Sequence, residues 1–227
     1  MGFVFDPPPT VALPILGTND LFPVHRVYCV GRNYAEHARE FGNDPTEPPF
    51  FFQKNPDNLV VSPHEVEYPP MTADLQYEVE LVAVLKSGGR NLPEGDALEH
   101  VYGYAVGVDL TRRDLQSEAK RLRRPWEVAK AFEQSAPIGP IATAENIGHP
   151  ARGLISLDLN GVLRQRADLA EMNWGVPRLI ANLSAYFDLR AGDVIFTGTP
   201  AGVGPTVRGD RLHAHIDNIG DLAVRIV

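Results

Sequence analysis

Apolar residues recur along this chain in short runs broken by glycine and proline, a rhythm of strands more than of long helices. Val27-Tyr28-Cys29-Val30 reads as a strand. A helix is predicted from Tyr34 to Phe41, ended by Gly42-Asn43-Asp44-Pro45. Phe50-Phe51-Phe52 forms a short apolar strand ending at Gln53-Lys54, and residues 77–85 and 101–108 are the strongest strand candidates. Thr111 suits a helix N-cap, with Asp114 resembling the second half of a capping box, so a helix is expected to about Arg121. Asn160-Gly161, between the runs 154–159 and 162–164, is the strongest hairpin signal in the chain. Residues 175–187 pattern as a helix. Gly192-Asp193 then turns into the strand 194–197, a glycine-rich loop spans 198–205, and strands near 211–216 and 221–227 close the chain. Strands outnumber helices and do not alternate with them. The pattern predicts a β-rich mixed α/β fold, not a doubly wound parallel sheet.

Residues 1–24 carry Pro7, Pro8, Pro9, Pro14 and Pro23 and read as an extended N-terminal arm, leaving 25–227 as a single domain. A chain of 227 residues is long enough to bury a substantial core. Its net charge of −8 argues against a general nucleic-acid or anionic-membrane surface, but not against a local cationic pocket. Cys29, the only cysteine, has no disulfide partner within the chain and reads as core filler. No apolar stretch reaches membrane-spanning length and no secretory signal pattern opens the chain, so a cytoplasmic location is expected.

The chemistry concentrates at Gln76-Tyr77-Glu78-Val79-Glu80-Leu81-Val82. Strand side chains alternate, so Glu78 and Glu80 share a face. Glu-x-Glu on an exposed strand is common and needs no ligand. Here the flanking residues through Leu85 are almost continuously apolar, and two like charges on a buried strand need a cation between them. With Asp109, which ends the next apolar run, they make an all-oxygen set suited to Mg2+, Mn2+ or Ca2+ more than to zinc.

Five motifs extend this picture: Gly31-Arg32-Asn33-Tyr34-Ala35-Glu36-His37; Tyr77-Glu78-Val79-Glu80-Leu81; Asp109-Leu110-Thr111-Arg112-Arg113-Asp114-Leu115-Gln116; Lys130-Ala131-Phe132; and Thr197-Gly198-Thr199-Pro200-Ala201-Gly202-Val203-Gly204. In this order and spacing they resemble the fumarylacetoacetate hydrolase superfamily, and within it the short acylpyruvate hydrolases. Arg112-Arg113-Asp114 and the stretch from Lys130 to Ile138 look most like the fumarylpyruvate hydrolases of gentisate breakdown. The resemblance implies a β-roll-like fold with short peripheral helices, usually a homodimer. It also implies one Mg2+ or Mn2+ held by Glu78, Glu80 and Asp109, and hydrolysis of a carbon–carbon bond in a 2,4-diketo acid. Decarboxylation or isomerisation of oxaloacetate or a related 2-keto acid is the alternative, and a non-catalytic ligand-binding protein is a third.

His37 and Glu40 stand three apart on the predicted helix, spacing that fits either a solvated pair or a base and its partner. The resemblance implies the latter, on a short lid helix. Lys130, a lysine in an apolar setting, reads as a snorkelling cation or as a stabiliser of an oxyanion or enolate. Gln116 is equally an intrahelical contact or an orienter of water or substrate. Arg112 and Arg113 are candidates for clamping a carboxylate, with Arg112 the expected specificity element. The hydroxyl of Thr199 and nearby backbone N–H groups are candidates for the substrate carboxylate, and the loop lacks a nucleotide P-loop ending. Lys120, Arg121, Arg123 and Arg124 read as a solvated helix end, and Arg32 and Lys54 as added positive potential without an assigned step.

Overall fold

The structure, a computed structural model, describes residues 2–40, 42, 44, 46–61 and 65–227. Its centre is a six-stranded sheet in the order Ala142–Thr143, Val101–Val108, Val79–Leu85, Asp193–Phe196, Arg26–Gly31 and Phe50–Lys54. Only Asp193–Phe196 and Arg26–Gly31 run parallel; the other neighbours are antiparallel. A five-stranded sheet orders Val162–Asp168, Leu154–Leu159, Arg211–Ile216, Gly220–Ile226 and Glu65–Val66. A three-stranded sheet joins Thr111–Arg112, Leu75–Tyr77 and Gly204–Thr206. The result is the strand-rich mixed α/β architecture that the pattern predicts, with Arg113–Leu122 and Val176–Tyr186 as its main helices.

The strand Val79–Leu85 is buried along its whole length because both faces are covered. Leu81, Ala83 and Leu85 join one core with Ile155, Leu157, Leu179 and Ala214. Val82 and Val84 join a second with Val27, Cys29, Ile138 and Phe196. That explains the unbroken apolar run, since each aliphatic side chain gains about 1.5–3 kcal/mol on burial whichever face it takes. Cys29 is fully buried, as expected of core filler.

The N-terminal stretch is less extended than its prolines suggest. Ala12–Pro14 pairs with Leu21–Pro23 as a ribbon, and Leu13, Ile15 and Phe22 cover the second core. Pro14 and Pro23 sit at strand ends, where a missing N–H costs little, so the alternating apolar residues decided the local structure. The helix expected to start at Thr111 instead begins at Arg113 and runs to Leu122. Thr111 belongs to a short strand, and its hydroxyl donates to Glu78 (3.2 Å). Asp114 accepts from the Thr72 hydroxyl and the Ala73 N–H instead of closing a capping box. The helix carrying His37 spans Ala35–Glu40; Phe41, its expected end, lies outside the described residues, as do Asn43 and Pro45. The Asn160-Gly161 hairpin forms as predicted, with both residues at positive φ (53° and 77°), as its tight turn demands. No helix among the described residues is long and apolar enough to cross a membrane.

Asn33 fixes the approach to the helix bearing His37. Its fully buried amide donates to the carbonyls of Trp174 (2.9 Å) and Thr197 (2.8 Å) and accepts from the Trp174 N–H (2.8 Å). Asn33→Ala strands these backbone groups, and an unsatisfied buried polar group costs about 1–3 kcal/mol. A stability loss of about 3 kcal/mol is expected, lowering Tm by roughly 6–12 °C at this chain length. A thermal melt showing no shift would mean that the contacts are replaceable by solvent.

Candidate active site and metal centre

Glu78 precedes the strand Val79–Leu85, whose register pairs Val79 with Val108 and Glu80 with Gly107. Continuing that ladder by one residue sets Asp109 opposite Glu78, and the Asp109 N–H donates to the Glu78 carbonyl (2.8 Å). The three carboxylates converge: one oxygen from each lies within 4.8 Å of the others, and all three residues are buried. Antiparallel pairing thus brings together acids separated by about a strand pair in sequence.

Three cations surround this cluster. Lys130 Nζ donates to Glu78 Oε2 (2.8 Å) and Asp109 Oδ2 (2.6 Å). Arg113 donates to Glu78 Oε1, to Gln116 Oε1 (2.7 Å) and to Gln76 Oε1 (2.8 Å). Lys54, which the sequence left without a role, is buried, donates to the Lys130 carbonyl and stands 2.9 Å from Asp109 Oδ1. Burial pushes the Glu78 carboxyl upward, but Lys130 and Arg113 outweigh it and hold the group well below the ordinary range. Burial likewise lowers Lys130, while Asp109 and Glu78 outweigh it and leave its ammonium firmly charged. Glu80 differs: burial first, then the Asp109 and Glu78 charges, push it well above the ordinary carboxylate range, against which it accepts only the Gly198 N–H (2.7 Å) and the field of Lys130.

The residues fit a hard divalent ion on their own evidence. Every donor is a carboxylate oxygen, and Glu80 is a buried acid whose ionised form lacks a matching cation. Asp109 Oδ1 is buried and accepts no hydrogen bond, since its contact with Lys54 falls outside hydrogen-bonding geometry. Glu78, Glu80 and Asp109 would hold such an ion, and its charge would answer all three conditions.

The pocket beside the acids is lined by His37, Glu78, Glu80, Arg113, Gln116, Lys130 and Thr199, together with Arg32, Lys120 and the rings of Phe50, Phe52 and Trp126. His37 Nδ1 lies 3.2 Å from Glu40 Oε2, so a proton on Nδ1 leaves Nε2 as the basic nitrogen. Glu40 in turn accepts the Gly202 N–H (3.2 Å). Gly202 has φ +95°, and a Cβ there would strike the Arg164 carbonyl, so glycine is required for this approach. The loop N–H groups of Gly198 and Gly202 therefore serve Glu80 and Glu40.

Thr199 accepts from Gln165 Nε2 (2.8 Å), which keeps the threonine's own O–H available to the pocket. Gln165 is a residue that the sequence reading missed. Fully buried on a mostly exposed strand, it also donates to the Pro200 carbonyl (2.9 Å) and accepts the Val79 N–H (3.0 Å). It ties the Thr199 loop to the carboxylate strand, and no local pattern marks it. Arg112 takes a different position: it donates to the Val128 carbonyl (3.1 Å) and stacks 4.3 Å from the Phe132 ring, outside this pocket lining. Lys120, read as part of a solvated helix end, does line the pocket. The spacing Arg113, Gln116, Lys120 (i, i+3, i+7) could have revealed it as one helix face.

Comparison with known proteins identifies the family. The family profile described as fumarylacetoacetate (FAA) hydrolase C-terminal matches residues 26–227. The chain is 38% identical to a fumarylpyruvate hydrolase from Ralstonia sp, covering 79% of this chain and 93% of that protein. It is 40% identical to an oxaloacetate tautomerase from Escherichia coli, covering 86% and 90%. The crystal structure of fumarylpyruvate hydrolase from Pseudomonas aeruginosa in complex with Mn2+ and pyruvate superposes with a TM-score of 0.98 at 51% identity, covering 100% of this chain and 99% of that one. The chain belongs to the fumarylacetoacetate hydrolase family.

Proposed function

We propose that this protein hydrolyses the carbon–carbon bond of an acylpyruvate, with fumarylpyruvate as the substrate and fumarate and pyruvate as products. The observation that carries the reading is that His37, paired with Glu40, lines one pocket with the charged Lys130 and with Glu78 and Glu80 of the buried carboxylate cluster. The similarity to a fumarylpyruvate hydrolase crystallised with Mn2+ and pyruvate supports it. Glu78, Glu80 and Asp109 would hold a Mg2+ or Mn2+ ion, which when bound would supply positive charge to the keto and carboxylate oxygens of the pyruvoyl end as the bond breaks.

The chain's own residues would then act in sequence. His37, oriented by Glu40, takes a proton from a water poised at the distal acyl carbonyl, and the water oxygen bonds to that carbon. The Thr199 hydroxyl and Gln116 would orient the substrate's oxygens, while Arg113 and Lys130 would supply positive charge to the departing pyruvate; all four line the pocket. The carbon–carbon bond breaks, its electron pair leaves with the pyruvate enolate, and a proton returned to the methylene carbon completes pyruvate. The acyl half departs as a carboxylic acid carrying the water oxygen.

The similarity to an oxaloacetate tautomerase supports a second reading. A tautomerase moves a proton between carbon and oxygen and needs no attacking water, so the same base could serve it. Pyruvate release from fumarylpyruvate and acetylpyruvate, set beside keto–enol interconversion of oxaloacetate, separates the two, measured on metal-stripped protein with and without Mg2+ or Mn2+. Metal-dependent release fastest from fumarylpyruvate is expected. Turnover confined to oxaloacetate would contradict the hydrolase reading, and full turnover without metal would remove the ion's role.

A further inference from the structure

The pocket carries more positive charge than its carboxylates require. Glu78 and Asp109 are already paired with Lys54, Lys130 and Arg113, and a divalent ion would supply the charge that Glu80 lacks and add to the positive side. Beyond them the same pocket is lined by two more cations, Arg32 and Lys120. Such an excess suits a substrate bearing two negative charges, one at each end.

These outer cations are mounted on an aromatic wall. Phe50 meets Trp126 edge-on (5.1 Å, 80°), and Phe52 packs tilted against the same ring (6.0 Å, 59°). Lys120 Nζ lies 5.0 Å from the centre of the Trp126 ring, and the Arg32 guanidinium 5.6 Å from that of Phe50. Lys130 Nζ, at the inner end, lies 5.2 Å from the Phe52 ring. The wall therefore runs from the catalytic lysine to the outer pair. The local fold places each part: Lys120 shares the helix face of Arg113 and Gln116, and after the left-handed turn at Arg123 (φ 54°) the chain brings Trp126 beside it. Arg32 is itself held at φ 62°, an uncommon conformation for a residue with a side chain, and pairs with Glu47.

We infer that Lys120, with Arg32 beside it, is the specificity element that receives the distal carboxylate of a dicarboxylic acylpyruvate, while Phe50, Phe52 and Trp126 enclose the flat, unsaturated chain between the two ends. Arg112, the residue that sequence alone suggests for this task, is committed to Val128 and Phe132. Lys120 is an exposed residue overall, yet partial burial beside the pocket, and then the Arg113 charge, hold its pKa down to about 8. It is still cationic at neutral pH, and a carboxylate beside it relieves the repulsion from Arg113, Lys130 and Arg32. This inference rests on the acylpyruvate reading for the chemistry, but its charge argument stands on the pocket alone.

The test pairs turnover with binding for Lys120→Met, which keeps the stem and removes the charge, and Lys120→Arg, which restores it. With the metal-loaded enzyme, the ratio of kcat/KM on fumarylpyruvate to that on acetylpyruvate is expected to fall about 10- to 100-fold in Lys120→Met, chiefly through KM, and to recover in Lys120→Arg. Fumarate should inhibit the wild type more strongly than acrylate, a monocarboxylate of similar shape, and this preference should vanish in Lys120→Met. An unchanged ratio and an unchanged fumarate preference in that variant would overturn the inference while leaving acylpyruvate hydrolysis intact. If the wild type cleaves no acylpyruvate, the binding arm still decides. In that case calorimetry on the metal-loaded protein should show a fumarate-over-acrylate preference that depends on Lys120. Its absence overturns the inference, and its presence upholds a dicarboxylate site whose reaction differs from the one proposed.

Discussion

Glu80→Gln is expected to lower metal affinity by about a hundredfold or more and to remove turnover with it, while the metal-free protein remains folded. Outer partners of metal ligands already cost about 10–100-fold when removed, so the loss of a ligand's charge should exceed that. Glutamine keeps an oxygen for the Gly198 N–H and nearly the same volume, which isolates charge as the variable. In the metal-free protein Glu80 is an acid held against its ionisation by burial and by two neighbouring carboxylates. Its neutral replacement should therefore leave the apo Tm unchanged or raise it, while the increase in Tm that the wild type shows on adding Mn2+ disappears. Calorimetric binding and thermal melts on the same samples check both halves. A variant that binds Mn2+ as tightly as the wild type would remove Glu80 from the metal set.

His37→Ala makes the complementary prediction: metal binding is retained and hydrolysis is lost. General acid–base catalysis by a positioned side chain contributes about 100- to 10,000-fold, and kcat should fall by that order with little change in KM. His37 is not one of the three carboxylates that would hold the ion and lines the pocket beside them, so the Mn2+ isotherm should be preserved. Glu40→Gln keeps the helix and a hydrogen-bonding group but removes the charge that orients the imidazole. An intermediate loss is expected from it. Undiminished hydrolysis by His37→Ala would eliminate the histidine as the base. If both variants lost metal as well as activity, the pair would be structural.

The two predictions rest on parts of the molecule that were unequally legible in sequence. The carboxylate pair could be read from a strand in which only acids interrupt an apolar run, because burial on both faces leaves no solvent for them. Asp109 followed because it ends the neighbouring strand, and the register does place it against Glu78. The Asn160-Gly161 turn was legible for a local reason, its need for positive φ at two successive residues. Long-range demands were not legible. Thr111 and Asp114 have the chemistry of a capping box, yet each is taken by a distant partner, Glu78 and the Thr72–Ala73 segment. Gln165 lies on a strand whose neighbours are mostly exposed, and only the tertiary fold reveals that it joins Val79 to Thr199. Lys120 was hidden by its company, since a basic run at a helix end looks solvated until one member is seen to share the face of Arg113 and Gln116.

The outer cations and the aromatic wall also sharpen what separates hydrolysis from tautomerisation in this family. Oxaloacetate is short, and its second carboxylate would fall well inside the reach of Lys130 and Arg113. A longer diketo diacid would extend along Phe52, Trp126 and Phe50 toward Lys120 and Arg32. On the proposed reading, substrate length is the variable on which the pocket would discriminate.

The central claim is that water is a reactant, and the fate of its oxygen tests that most directly. Fumarylpyruvate turned over by the Mg2+-loaded protein in heavy-oxygen water, with products read by mass spectrometry, should give pyruvate and fumarate in equal amounts, the new fumarate carboxyl carrying solvent oxygen. Recovery of fumarylpyruvate with only its keto and enol forms interconverted, and no fumarate formed, would contradict the account and make the protein a tautomerase.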